Sequence, residues 1–151
     1  MPVPPTETLA ALIREKRDCL LTLREMGRRQ FELIDEGNMT ALLEVLAAKQ
    51  RALNTLQRVE RALDPFRGQD PERRPWRLPD DRRRCAEQLQ QCETLLGEIV
   101  SQEKCSEGAL IRRRDETAER LQGAHRANHA RGAYTAETRG EIHQLDLHSD
   151  S

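Results

Sequence analysis

Apolar residues return along this chain at helical spacing almost throughout. In the first stretch they are Leu9, Leu12, Ile13, Cys19, Leu20, Leu23, Met26, Phe31 and Ile34. Steps of three and four place such residues on one helix face, so an amphipathic helix is expected from about Thr6 to about Glu36. Thr6 is a candidate cap for it, and Gly27 is a weak point inside it. The pattern breaks at Gly37-Asn38. Gly accepts the left-handed conformation that ends a helix, and Asn can cap the next one. From Met39 the pattern resumes with Leu42, Leu43, Leu46, Leu53, Leu56 and Leu63. Written as heptads, one seam row holds Met39, Leu46, Leu53 and Glu60, and the other holds Leu42, Lys49, Leu56 and Leu63. So short a turn leaves only an antiparallel hairpin, its second helix spanning about Met39 to Leu63.

Residues 64–79 contain four prolines and a glycine, so an irregular loop is expected. Phe66 and Trp76 lie inside it, either folded back to plug the end of a bundle or displayed as anchors for a partner. Pro79-Asp80-Asp81 then opens a third helix, with acids in its first turn. Its row is Cys85, Leu89, Cys92, Leu95, Leu96, Ile99, Leu110 and Leu121, and the helix is expected over about 80–131. The row thins after Ser101, and beyond Ile111 it is mostly Ala. Much of this helix should therefore lack a partner within the chain. Such a helix is marginal alone in water, so it frays, dimerises or waits for another protein. The tail, 132–151, is polar and acidic and is expected to be disordered. The fold expected is all-α: an antiparallel long-helix hairpin plus a third long helix, a three-helix coiled-coil-like bundle over 1–131, then the tail.

Composition agrees with that picture. Charged residues make up 34% of the chain and aromatics 3%, which suits narrow helix–helix seams built of Leu, Ala and Cys rather than a sheet. The 25 basic and 26 acidic residues nearly cancel, which argues against general affinity for nucleic acid or anionic lipid. Arg runs at Arg82–Arg84 and Arg112–Arg114 are flanked by acids and point around the helix, as solvated surface does. No secretory leader or membrane-spanning run is seen, so a cytoplasmic protein with reduced cysteines is expected.

Candidate chemistry is sparse. Cys85 and Cys92 are one heptad apart, without the close pairs a zinc site uses, and read as small seam residues. His125 and His129 share a helix face, yet no acid or third ligand follows at a telling distance. No His has a Glu three residues before it, which a di-iron bundle needs. Phosphate loops and nucleophile elbows are missing from the sequence. No enzyme activity, cofactor or metal is expected.

One stretch carries a resemblance. Leu33 to Leu56 reads LIDEGNMTALLEVLAAKQRALNTL, with Leu33-Ile34, Gly37-Asn38, Ala41-Leu42, Lys49-Gln50, Leu53 and Leu56 at the positions that matter. It resembles the FlgN-type flagellar export chaperones, which the length and order of elements also suit. The resemblance implies a cytosolic helical chaperone that binds the C-terminal helices of hook–filament junction proteins, keeps them unassembled and passes them to the export apparatus. The family's cargo-binding region falls on Leu110 to Leu147, the same region that lacks partners in the periodicity. Leu110, Ala118, Leu121, Ala124 and Tyr134 are the expected contact residues, with Ile142, Leu145 and Leu147 as a second patch. The alternative is a structural scaffold that self-associates through the third helix as a homodimer.

Overall fold

The computed structural model describes residues 5–69 and 74–149, with side chains through Gly140. It contains three α-helices: α1 (Pro5–Glu36), α2 (Met39–Arg67) and α3 (Pro79–Ser149). The fold is all-α. The chain divides into two compact units, the first ending at Leu110 and the second beginning at Ile111.

The turn between α1 and α2 follows from two residues. Gly37 takes φ 73°. Its N–H donates to the Ile34 carbonyl at 3.1 Å, and the Asn38 N–H donates to the Leu33 carbonyl at 3.0 Å. This is the Schellman pattern, which satisfies carbonyls that the helix end would leave unpaired. The Asn38 side chain then accepts from the Ala41 N–H at 3.1 Å and caps α2.

Within the first unit the three helices meet along heptad seams. α1 contributes Leu9, Ile13, Leu20, Leu23, Gly27, Gln30 and Ile34. α2 contributes Leu42, Lys49, Leu56 and Leu63 in one row, as its spacing predicts. Its second row is Val45, Ala52, Val59 and Phe66, one position before the expected Met39, Leu46, Leu53 and Glu60. Met39, Leu46 and Leu53 instead lie exposed on the outer flank. Both rows repeat every seven residues, and packing against α3 selects between them. α3 presents Cys85, Cys92, Leu95, Ile99, Gln102, Ser106 and Ala109, while Leu89, Leu96 and Leu110 of the expected row are exposed.

The core is layered. Leu9, Ile13, Val59, Leu63 and Cys85 form one apolar layer, with Phe66 and Trp76 packed against it. Both aromatics thus plug the bundle end. Cys19, Leu20, Leu23, Cys92 and Leu95 form the next. Leu33, Ile34, Leu42 and Ala109 form a third beneath the hairpin turn.

Element ends depart from expectation in three places. α2 continues past Asp64-Pro65 to Arg67. A proline removes one backbone donor, and packing of Phe66 on the first layer offsets that loss. Thr6 does not cap α1. The helix starts at Pro5, and the buried Thr6 hydroxyl donates to the Pro75 carbonyl at 2.9 Å, tying the helix to the segment before α3. α3 does not stop at Arg131: it runs through Gly132 to Ser149, over most of the stretch expected to be disordered. A single Gly costs a helix about 1 kcal/mol, too little to end one flanked by Ala130, Arg131, Ala133 and Ala136. Part of the expected loop, 70–73, lies outside the described residues.

Candidate partner-binding surfaces

From Ile111 to Gly140 no described side chain is buried; Arg113, Ala127 and Thr138 are half-buried and the rest exposed. Helical periodicity places Ala118, Leu121 and Ala124 within an arc of about 120°. Tyr134 falls about 140° from Leu121 by the same rule and does not share that face. Arg114, Thr117, His125 and Asn128 interleave with the three, so the face is mixed rather than apolar. Ile111, exposed one heptad before Ala118, belongs beside them, and its spacing from Ala118 could have revealed it. Leu110 ends the first unit and is exposed. Ile142, Leu145 and Leu147 belong to α3, but their side chains lie outside the described residues.

The first unit holds a buried polar layer. Lys49 is 7% exposed. Its Nζ donates to Gln30 Oε1 at 2.9 Å and pairs with the Glu103 carboxylate. Burial holds the Lys49 ammonium below its ordinary pKa. One residue from each helix therefore meets at this level, between the second and third apolar layers. A second pair, Lys16 to Glu60 at 2.7 Å, joins α1 to α2.

Three cysteines are buried and Cys105 is exposed, all as free thiols. Burial raises the pKa of Cys19, Cys85 and Cys92, so these thiols stay protonated and unreactive. Among the described residues no three or more His, Cys, Asp or Glu side chains gather as a metal site. No described helix is long and apolar enough to cross a membrane.

The face between α1 and α3 is grooved. One cavity of about 820 Å³ is lined by Gly27, Phe31, Gly97, Ser101 and Cys105 among others. A second, of about 630 Å³, is lined by Arg17, Leu21, Glu87 and Thr94 among others. They adjoin at Arg24 and Glu98, whose side chains pair across the groove at 3.0 Å. The Gln102 side chain reaches over Gly27 to donate to the Arg24 carbonyl at 3.1 Å. A methyl group at Gly27 would run into that carboxamide. The sequence gives a weak sign of this groove: Gly27 and Gly97 interrupt otherwise good helices, though glycines also do so elsewhere in α3.

No protein-family model, no curated protein and no solved structure matches this chain.

Proposed function

We propose that this protein is a cytoplasmic export chaperone of the FlgN type. It would act by stoichiometric binding, without catalysis. One observation carries the reading: from Ile111 to Gly140, α3 buries no described side chain, while the first unit is closed by three apolar layers. A helix that packs on nothing is marginal in water. An amphipathic cargo helix laid against Ile111, Ala118 and Leu121 would supply the missing contact, ordering both partners at once. The Leu33 to Leu56 resemblance names the cargo as the C-terminal helix of a hook–filament junction protein, with the export apparatus as recipient.

The test is titration calorimetry with the C-terminal segment of a hook–filament junction protein. One-to-one binding with a Kd of about 1 μM or tighter is expected, with a negative heat-capacity change from apolar burial. Leu121→Asp should weaken it about tenfold or more while leaving the unfolding temperature in place. No heat at about 100 μM partner would sink the reading. Self-association through the same helix is the competing use of this face. It requires a concentration-dependent dimer in the absence of any cargo.

A further inference from the structure

α2 carries two heptad seams. The inner one, Leu42, Val45, Lys49, Ala52, Leu56 and Val59, faces the core. The outer one, Met39, Leu43, Leu46, Gln50, Leu53 and Gln57, keeps the same alternating steps of four and three, yet every member is exposed. A helix that packs on one side needs one seam, and a second seam marks a second packing partner. Thr40, Ala47 and Asn54 flank the outer seam, so from Met39 to Gln57 this stripe bears no charge, in a chain that is 34% charged. Two contacts fix where it faces. Glu60 continues the Met39, Leu46 and Leu53 row, and its charge acts on the Cys92 thiol of α3. Arg58, on the opposite flank of α2, pairs with Glu15 of α1. The Met39 row therefore borders α3. On α3 the row Leu89, Leu96, Glu103 and Leu110 borders α2, because Glu103 pairs with Lys49. The two rows run side by side as an apolar furrow, with Val100 on its α3 rim. The only carboxylates within the rows, Glu60 and Glu103, already hold Lys16 and Lys49. Glu93 and Glu107 stand on the α3 rim beside Val100.

We propose that the α2/α3 face docks a second copy of this chain, with α2 of each protomer lying in the α2/α3 furrow of the other. A closed two-fold contact needs one patch that both inserts and receives. This patch does both, because the uncharged outer stripe of α2 adjoins the furrow that it fits. The rim acids set a condition: an occupant must bring no acid opposite Glu93 and Glu107. The α2 stripe brings none, and its Gln50, Asn54 and Gln57 amides are donors for them. The area is also sufficient. Met39, Leu43, Leu46 and Leu53 on α2, with Leu89, Leu96, Val100 and Leu110 on α3, are 36 to 68% exposed. Together they leave on the order of 700 Å² of apolar surface in water, above the roughly 300–600 Å² of the largest patch on an ordinary monomer and near the roughly 800 Å² per partner of a standard interface. The face lies wholly within the first unit and does not depend on the export reading.

The test is sedimentation equilibrium of the full-length protein, from about 1 to about 500 μM. A reducing buffer keeps the exposed Cys105 from joining two chains covalently. The wild type should pass within that range from the 17.4 kDa monomer to twice that mass. Leu43→Glu places a carboxylate at the most exposed position of the stripe, where the monomer has nothing to lose. Gln50→Glu does the same with almost no change of shape. Each should raise the dissociation constant about tenfold or more, because a charge enters a desolvated seam. Helical content in dilute solution should stay at the wild-type value in both. Leu121→Asp, in the second unit, should leave the dimer as it is. A chain that stays monomeric at about 500 μM would overturn the proposal. A dimer that Leu43→Glu and Gln50→Glu leave intact but Leu121→Asp disrupts would move self-association to the second unit and overturn this face. A monomer whose Leu43→Glu variant instead binds the junction-protein segment more weakly would give the face to that cargo and overturn the second copy.

Discussion

Lys49 occupies a seam position that its heptad neighbours Leu42, Leu56 and Leu63 fill with leucine. Its ammonium is satisfied by Gln30 from α1 and Glu103 from α3. The two ends of the ion pair are unequal. The Glu103 side chain is 48% exposed and hydrates easily if left alone, whereas Lys49 does not. Glu103→Ala should therefore destabilise the bundle by about 1–2 kcal/mol, by leaving a buried charge short of a partner. Lys49→Met should be close to neutral, because methionine fills the space and removes the charge. In the Lys49→Met background, Glu103→Ala should cost almost nothing; urea titration of the four-variant cycle measures this. The buried thiols make a pH prediction of known sign. The pKa values of Cys19, Cys85 and Cys92 are raised above the ordinary 9.0, so the stability they contribute is complete below pH 9.0. It is lost as the pH rises from there through the folded-state values, because the unfolded thiols release protons first. The lowered pKa of Lys49 acts the other way, its penalty fading as the pH approaches the ordinary 10.5. A protein in which the three cysteines are replaced by Ala should lose less stability between pH 8 and 10 than the wild type, as followed by urea midpoints. Lys49 was legible as a seam residue from its spacing alone. Val45, Ala52 and Val59 were not, because the larger Met39, Leu46 and Leu53 repeat at the same interval one position later. Only the third helix distinguishes the two rows.

The helices themselves were legible in type and order, because each carries an apolar period with punctuation between. The Gly37-Asn38 turn was fully legible, since only those residue types supply both the positive φ and the cap. Ends without such chemistry were not. α2 outruns Pro65 because Phe66 gains contact with the core, a tertiary effect that local rules omit. The two groove glycines make a paired prediction about α1 and α3. Gly97→Ala should stabilise the protein by about 1 kcal/mol, the difference in helix propensity, because the new methyl enters open space. Gly27→Ala gains the same propensity but displaces the Gln102 carboxamide and its bond to the Arg24 carbonyl. A lost hydrogen bond of about 1 kcal/mol offsets that gain, so Gly27→Ala should come out near zero or negative. Thermal unfolding of both variants decides it. If both stabilise equally, the Gln102 contact contributes nothing.

At the scale of the whole chain the two units differ in what holds them. The first is tied by three apolar layers, a charged layer and the Thr6–Pro75 bond. The second buries no described side chain; its helical backbone bonds are helped by local contacts such as the Arg114–Asp115 pair at 3.5 Å and the Thr135 and Thr138 hydroxyls donating to the Arg131 and Tyr134 carbonyls at 2.8 and 2.9 Å. The thinning of large apolar residues after Ser101 made this difference legible in the sequence; the continuation of α3 past Gly132 was not, because a helix with little packing leaves only a propensity signal. Local stability follows packing, so the units should open independently. Brief trypsin treatment of the native protein should cut first within Arg112–Arg131, where the arginines are dense and no described side chain is buried. The seams around Lys16, Arg24 and Lys49 should resist. The large fragment should keep the unfolding temperature of the whole chain within about 2 °C, since no packed layer has been removed. A saturating partner helix that binds α3 should protect the early sites by the same mass action that ties opening to binding. Cleavage at equal rates in both units would mean that the second unit is held by contacts the first cannot do without. It would also remove the main support for a helix that waits on another protein.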